Sequence, residues 1–285
     1  MYTTTNRFFW DALLLDDPHE IVGQSDALQY VRDLIESTDP GCTNVLVLGE
    51  RGTGKELVAR AIHDRSTRRN GPFISIHCGS MPETLLESAL FGHATCAYAG
   101  AGSAERGLFA EAKGGTLFLD DVDELPVALL PKLARALRDR TARAIGGEVA
   151  LAFDVRVIGA TSRDLEGEAL PDAARIDVPP LRVRGGDVVL LAQHFVEKYA
   201  MRYRKNVASV RRDAERQLVA YHWPGNVREL ETSIELAVRR TTSPLLTVDD
   251  LPPRILSRQS RVFARAERRA ARKDALDREL APKPA

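Results

Sequence analysis

The sequence predicts an α/β fold: a parallel sheet covered by helices on both faces, followed by a smaller helical subdomain. Three observations carry that reading. From Ile21 to about residue 178, short apolar runs closed by Gly or Asp alternate with helix-periodic stretches, the pattern of strands buried on both faces. Pro179-Pro180 then breaks the alternation, because proline lacks the N–H that continues a strand or helix. Beyond it only helical periodicity remains, at Val188–Tyr199, Asp213–Tyr221 and Asn226–Arg240.

Residues 1–19 read as a short leader, aromatic at Phe8-Phe9-Trp10 and too small for a sensory domain. Ala27–Ile35 has helical spacing, and Val45–Leu48 is an unbroken apolar strand. Gly49-Glu50-Arg51-Gly52-Thr53-Gly54-Lys55 follows at once, and Leu57–Asp64 is helix-prone. This is G-x-x-x-x-G-K between a strand and a helix. The glycines let the backbone fold around a polyphosphate with its N–H groups inward. The helix offers its positive N-terminus, and Lys55 adds a point charge for the outer phosphates. The residues therefore predict a nucleoside triphosphate site at Gly49, Glu50, Gly52, Thr53, Gly54, Lys55 and Glu56. Glu56 stands where a magnesium-binding Ser or Thr is usual. Phe73–Ile76 is the next strand. Thr116–Leu119 is another, and it ends in Asp120-Asp121, the pattern that sets an acid beside a magnesium ion. Leu129–Leu137 then reads as a helix and Asp154–Ile158 as a strand. The expected divisions are a core at 20–178, a lid at 179–243 and a basic tail at 244–285, with Thr241–Pro253 rich in turns and no internal repeat.

Composition narrows the class. Forty Lys and Arg balance 40 Asp and Glu, so net charge gives no argument for a nucleic-acid or membrane partner. Three scattered cysteines, Cys42, Cys78 and Cys96, suit reduced thiols rather than a disulfide framework. The N-terminus has only the short run Leu13-Leu14-Leu15 before Asp16-Asp17, neither signal peptide nor membrane span. The expected location is the cytoplasm.

The phosphate loop with Glu56 is followed in order by Pro72-Phe73-Ile74-Ser75, Leu90-Phe91-Gly92-His93 and Gly114-Gly115-Thr116-Leu117-Phe118-Leu119-Asp120. Asp154–Thr161, Pro179-Pro180-Leu181-Arg182 and Trp223-Pro224-Gly225-Asn226-Val227-Arg228-Glu229-Leu230 complete the series. From Ile21 to Arg240 this resembles the central AAA+ ATPase domain of the bacterial enhancer-binding proteins, which activate sigma-54 RNA polymerase. The resemblance implies an AAA+ P-loop NTPase with a C-terminal helical lid. It also implies ATP and Mg2+ as ligands, and a hexameric ring, of this chain or related AAA+ subunits, that remodels the closed complex of sigma-54 RNA polymerase. It assigns Lys55 to the phosphates, Asp120 to magnesium, Thr161 to sensor I and Arg228 to sensor II. For Arg228 a surface ion pair with Glu229 is the competing reading.

The departures from the family pattern fall at functional points. Asp121 stands for the Glu that polarises the attacking water, with the same charge on a side chain one methylene shorter. His77 replaces the Asn that holds that Glu, either as a hydrogen-bonding substitute or as a satisfied, partly buried histidine. Ser162 replaces an expected Asn at sensor I. Only Glu166–Val178 spans the region where the family carries two arginine fingers, and Arg175 is its sole basic residue. The sigma-54-contacting loop reads Cys96-Ala97-Tyr98-Ala99-Gly100-Ala101. There Tyr98 keeps an aromatic, Ala99 lacks the family's Thr hydroxyl and Cys96 stiffens the first hinge. A drifted surface loop is the alternative. The residues ahead of Ile21 are not expected to hold a sensory domain, and the C-terminus does not read as a helix-turn-helix. Instead, basic residues from Arg254 to Lys273 recur at three- or four-residue spacing. They form a helical face for nucleic-acid phosphates, or a solvated one. Together these points raise a second expectation: a weakly catalytic or non-catalytic subunit that holds ATP and tunes a related activator.

Overall fold

The structure, a computed structural model, describes residues 21–38, 44–98, 102–164 and 170–256. The core runs α1 (Asp26–Ser37), β1 (Val45–Leu48), α2 (Lys55–Asp64), β2 (Phe73–His77), α3 (Glu83–Phe91), β3 (Gly92–His93) and β4 (Glu105–Arg106). It continues with α4 (Leu108–Glu111), β5 (Thr116–Asp120), α5 (Leu129–Asp139), β6 (Thr141–Arg143), β7 (Ala150–Ala152), β8 (Arg156–Thr161) and β9 (Ala174–Asp177). The lid follows as α6 (Asp187–Tyr203), β10 (Ser209–Val210), α7 (Arg212–Ala220), α8 (Asn226–Arg240), β11 (Leu245–Leu246) and α9 (Pro253–Leu256).

Five strands form one sheet in the order β2-β5-β8-β1-β9, every pair parallel. Alternate residues point to opposite faces, and both faces are covered. Leu46, Leu48, Leu117, Leu119 and Val157 pack with Leu86 of α3 and Leu133 of α5. Val45, Val47, Phe118, Ile158 and Ile176 pack with Val31 of α1 and Val58 of α2. Helix α1 forms because Leu28, Val31 and Ile35 share its buried stripe, and the Ser25 hydroxyl accepts the Leu28 N–H at its start. The lid has a core of its own, with Leu191, Phe195 and Tyr199 of α6 against Leu230, Ile234 and Val238 of α8 around Trp223. Trp223 is fully buried, and its indole N–H donates to the Leu218 carbonyl at 2.8 Å.

Three differences from the sequence expectation have physical causes. Strand β9 was not anticipated, since in Ala-Arg-Ile-Asp only Ile176 is buried; pairing with β1 makes it the sheet edge. Strand β8 begins later than expected because Asp154 leaves the sheet to accept an ion pair from Arg68. The lid extends past residue 243: Leu246, Leu251 and Ile255 are buried in its core. Arg254, expected on a basic tail, instead contacts Glu229 Oε1 at 3.3 Å and Ser233 Oγ at 3.2 Å. The leader at 1–19, the rest of the basic series and Cys42 lie outside the described residues. No helix among the described residues is long and apolar enough to cross a membrane.

Candidate nucleotide site

Strand register sets the site. His77 lies opposite Asp120 between β2 and β5, and Leu48 lies opposite both Thr161 of β8 and Asp177 of β9. The carboxyl ends of four strands therefore meet where β1 enters the phosphate loop, the usual ligand edge of an open α/β sheet. The Gly49 N–H donates to the Thr161 carbonyl at 3.1 Å, fastening the loop to β8. Within the loop the Thr53 hydroxyl donates to the Glu50 carbonyl at 2.9 Å. Gly54 adopts φ 100°, a left-handed turn that aims the first N–H groups of α2 toward the loop.

Lys55 is buried, and its ammonium donates to the carbonyls of Gly49 at 2.9 Å and Glu50 at 3.4 Å. Burial pushes its pKa down, against the pull of Asp121, Asp120 and Asp123. Asp120 is pushed the other way, above the ordinary carboxylate range, first by burial and then by the Asp121 charge. A carboxylate so placed favours a neighbouring cation. Glu56 turns to Arg60 one helical turn on, at 3.0 Å, and offers the loop no hydroxyl.

Asp121 is buried at a left-handed turn, φ 51°, directly after β5. Its Oδ2 lies 3.3 Å from His77 Nε2 and 3.8 Å from the Arg51 guanidinium. The Gly79 N–H donates to His77 Nδ1 at 3.1 Å. That ring nitrogen therefore acts as an acceptor, and Nε2 is the ring atom nearest Asp121. His77 is half exposed and lies beside the Asp121 carboxylate. Arg51 also pairs with Glu124. His77, Asp121 and Glu124 bring potential metal-ligand atoms within 4.8 Å of one another, but the Arg51 guanidinium already supplies the cation there.

Thr161 and Ser162 are both turned to Asp123. Thr161 is fully buried, and its hydroxyl donates toward Asp123 Oδ1 at 3.0 Å; Ser162 Oγ lies 3.4 Å from Asp123 Oδ2. Asp123 was not picked out from sequence, although its place three residues after Asp120 on a single turn could have marked it. Arg228 opens α8 beside the loop, where its N–H donates to the Gly52 carbonyl at 3.3 Å. Its guanidinium forms no ion pair among the described residues. Glu229, the competing partner, is taken by the Tyr221 hydroxyl, the Gly225 N–H and Arg254.

Two further expected site residues have their side chains engaged away from the phosphate loop. The Glu50 carboxylate is taken up by the lid, where Arg182 donates to both oxygens at 2.6 and 2.8 Å. That hydrogen bond holds its pKa below the usual carboxylate range. Arg175 lies on β9 at the sheet edge, paired with Asp164 at 3.0 Å and Asp177 at 3.2 Å. It is not brought to its own chain's phosphate loop, and residues 170–173 before it carry no helix.

Cys96–Tyr98 follow shortly after β3, which pairs with β4, and His93 bridges to Ile145 beyond β6. Cys96 is exposed with φ 61°, a conformation that favours glycine. Tyr98 folds back, its ring edge-on to His93 at 5.1 Å and its hydroxyl 3.5 Å from Ser88 Oγ. Ala97 lies within 3.0 Å of where a Gly146 side chain would begin. Ala99, Gly100 and Ala101 lie outside the described residues.

Gly52 gives the first testable consequence. It has φ +79°, and a Cβ there would sit 2.3 Å from the Gly225 carbonyl of the lid. Gly52→Ala is expected to cost at least the ~1–2 kcal/mol of left-handed strain and to lower the melting temperature by several degrees. An unchanged melting curve would contradict this close approach.

A phosphate loop, an acidic strand end and a helical lid on one parallel sheet define an AAA+ domain with a P-loop core. Comparison with known proteins gives the family. Residues 21–178 match the Sigma-54 interaction domain, and residues 182–268 match an AAA+ ATPase lid domain. The chain belongs to the sigma-54 interaction domain family. It is 44% identical over 223 residues to the regulatory protein AtoC of Escherichia coli, covering 74% of this chain and 48% of AtoC. It is 42% identical over 247 residues to the nitrogen fixation protein AnfA of Azotobacter vinelandii, covering 83% of this chain and 46% of AnfA. The chain thus spans about half the length of these curated relatives. The structure of NtrX from Brucella abortus in complex with ATP superposes with a TM-score of 0.75 at 31% identity, covering 87% of this chain and 58% of NtrX.

Proposed function

We propose that this chain is an ATP- and magnesium-binding AAA+ regulator of sigma-54-dependent transcription. It works in a ring, of its own copies or with related subunits, and engages sigma-54 RNA polymerase through residues 96–101. The observation that carries the nucleotide part is the convergence of Lys55, Asp120 and Asp121 with the glycine loop at one end of the sheet. That a structural relative, NtrX, has been solved in complex with ATP supports a nucleotide as the ligand. Lys55 and the loop N–H groups would bind the phosphates, and Arg228 would close on them from the lid. Asp120 would hold Mg2+, which commonly takes one or two carboxylates plus substrate phosphates and water, so the missing loop hydroxyl at Glu56 does not exclude it. The ion would offset phosphate charge.

A second reading, a weakly catalytic subunit that tunes a related activator in a mixed ring, is favoured by two contacts. Arg175, the sole basic residue of its segment, is held by Asp164 and Asp177 of its own chain. Asp121, which would act as the base for water, has His77 at 3.3 Å and Arg51 at 3.8 Å beside its carboxylate. An open-complex assay on a premelted promoter with sigma-54 holoenzyme and ATP separates the readings. The accessory reading expects little activation by this protein alone, and enhancement or inhibition once a related active subunit is added. Robust open-complex formation by the lone protein would restore the plain activator.

A further inference from the structure

The contact between the phosphate loop and the lid is more elaborate than the motif requires. Arg182, just after the Pro179-Pro180 break, grips Glu50 with two parallel hydrogen bonds of 2.6 and 2.8 Å. Asn226, at the start of α8 with 0% of its surface exposed, spends its whole amide on the same junction. Its Nδ2 donates to Glu50 Oε2 at 3.1 Å and to the Arg51 carbonyl at 3.0 Å, while its Oδ1 accepts the Leu181 N–H at 2.8 Å. The Val227 N–H donates to the Gly52 carbonyl at 2.8 Å and the Arg228 N–H to the same oxygen at 3.3 Å. Helix α8 has no side-chain cap, so the loop backbone satisfies N–H groups that a helix start leaves open. Asn226 itself adopts φ 52°, a left-handed conformation that asparagine tolerates better than most residues.

We propose that Glu50, Arg182 and Asn226 form a latch that makes the phosphate loop and the lid one mechanical unit. Glu50 is then a positioning residue: it sets the height and angle of α8, and through them where Arg228 meets the nucleotide. Phosphates that draw Lys55 off the Gly49 and Glu50 carbonyls would reshape the same loop segment that Arg182 and Asn226 grip. Nucleotide occupancy would thereby reach the lid within one subunit, independently of the shortened segment before β9. The two long side chains make a planar, bidentate pair that Lys cannot reproduce. This inference rests on the nucleotide reading, with one arm that does not.

The test uses Glu50→Gln, Arg182→Gln, Arg182→Lys and the Glu50→Gln/Arg182→Gln double variant of the full chain. In the absence of nucleotide, hydrogen exchange is read at the Val227 and Arg228 amides. It should speed up about tenfold in each single variant, Arg182→Lys included. Affinity for a fluorescent ATP analogue should fall about tenfold in each single variant, equivalent to ~1.4 kcal/mol, and no further in the double variant, as coupled residues require. Inorganic pyrophosphate, which needs the loop but not the lid, should bind within about twofold of wild type throughout. Additive losses, an equal fall in pyrophosphate affinity, or unchanged amide exchange would each overturn the latch. If wild type fails to bind the ATP analogue, the nucleotide reading fails, and the exchange arm still decides the latch.

Discussion

Lys55→Ala is expected to lose ten- to a hundredfold or more in affinity for ATP while remaining folded. The ammonium is buried among Asp120, Asp121 and Asp123, with its protons on the Gly49 and Glu50 carbonyls. A bound phosphate would replace those two neutral acceptors by a charged one, and hydrogen bonds to charged groups contribute about 1.5–3 kcal/mol, with each 1.4 kcal/mol a factor of ten. Removing the ammonium also takes away the charge that offsets Asp121, Asp120 and Asp123 where phosphate would bind. Equilibrium titration of a fluorescent ATP analogue, with a melting curve as control for folding, checks this. Equal binding by both proteins would remove the nucleotide site from the account.

Asp121→Glu is expected to raise ATP turnover by less than about tenfold, well short of a normal rate. A correctly placed general base is worth roughly 10²–10⁴ in rate, and a displacement of about 1 Å costs ~10². Restoring the methylene addresses that loss alone. It also pushes the carboxylate toward His77 Nε2, 3.3 Å from Asp121 Oδ2, so part of the gain is taken back by a tighter hold. An arginine donated by a neighbour contributes about 10³–10⁵ in related nucleotide hydrolases. Here the one basic residue of the relevant segment sits on a sheet-edge strand, bonded to Asp164 and Asp177. The larger deficit therefore remains after the smaller one is repaired. Steady-state turnover of both proteins measures the difference, and a hundredfold gain from Asp121→Glu alone would show that the arginine deficit has been overestimated.

How much of this was legible depends on whether a feature is local. The phosphate loop was, because its glycines and lysine encode a backbone shape within seven residues. So were Asp120-Asp121 at a strand end and the three lid helices, which their own periodicity announces. What escaped is set by partners far along the chain. Glu50 reads as a phosphate-loop residue by position, yet its carboxylate is claimed by Arg182 and Asn226, 132 and 176 residues away. The approach of His77 to Asp121 follows from the register of β2 against β5, which only the folded sheet fixes. Strand β9 has one buried residue in four, too little pattern to announce an edge strand. The hairpin β6–β7, exposed throughout β7, carries no apolar alternation to reveal it. The end of the lid was misplaced for a related reason: Leu246, Leu251 and Ile255 are scattered among turn residues, and only the lid core gathers them.

The weakly catalytic reading joins a nucleotide pocket to an Arg175 that is held by Asp164 and Asp177 of its own chain. ATP turnover by the purified protein across a wide concentration range tests it most directly. A slow rate per subunit that stays flat as concentration rises is predicted, because Arg175 stays paired with Asp164 and Asp177 of its own chain. A brisk rate that climbs steeply with concentration would contradict it, showing that neighbouring subunits complete one another's active sites after all.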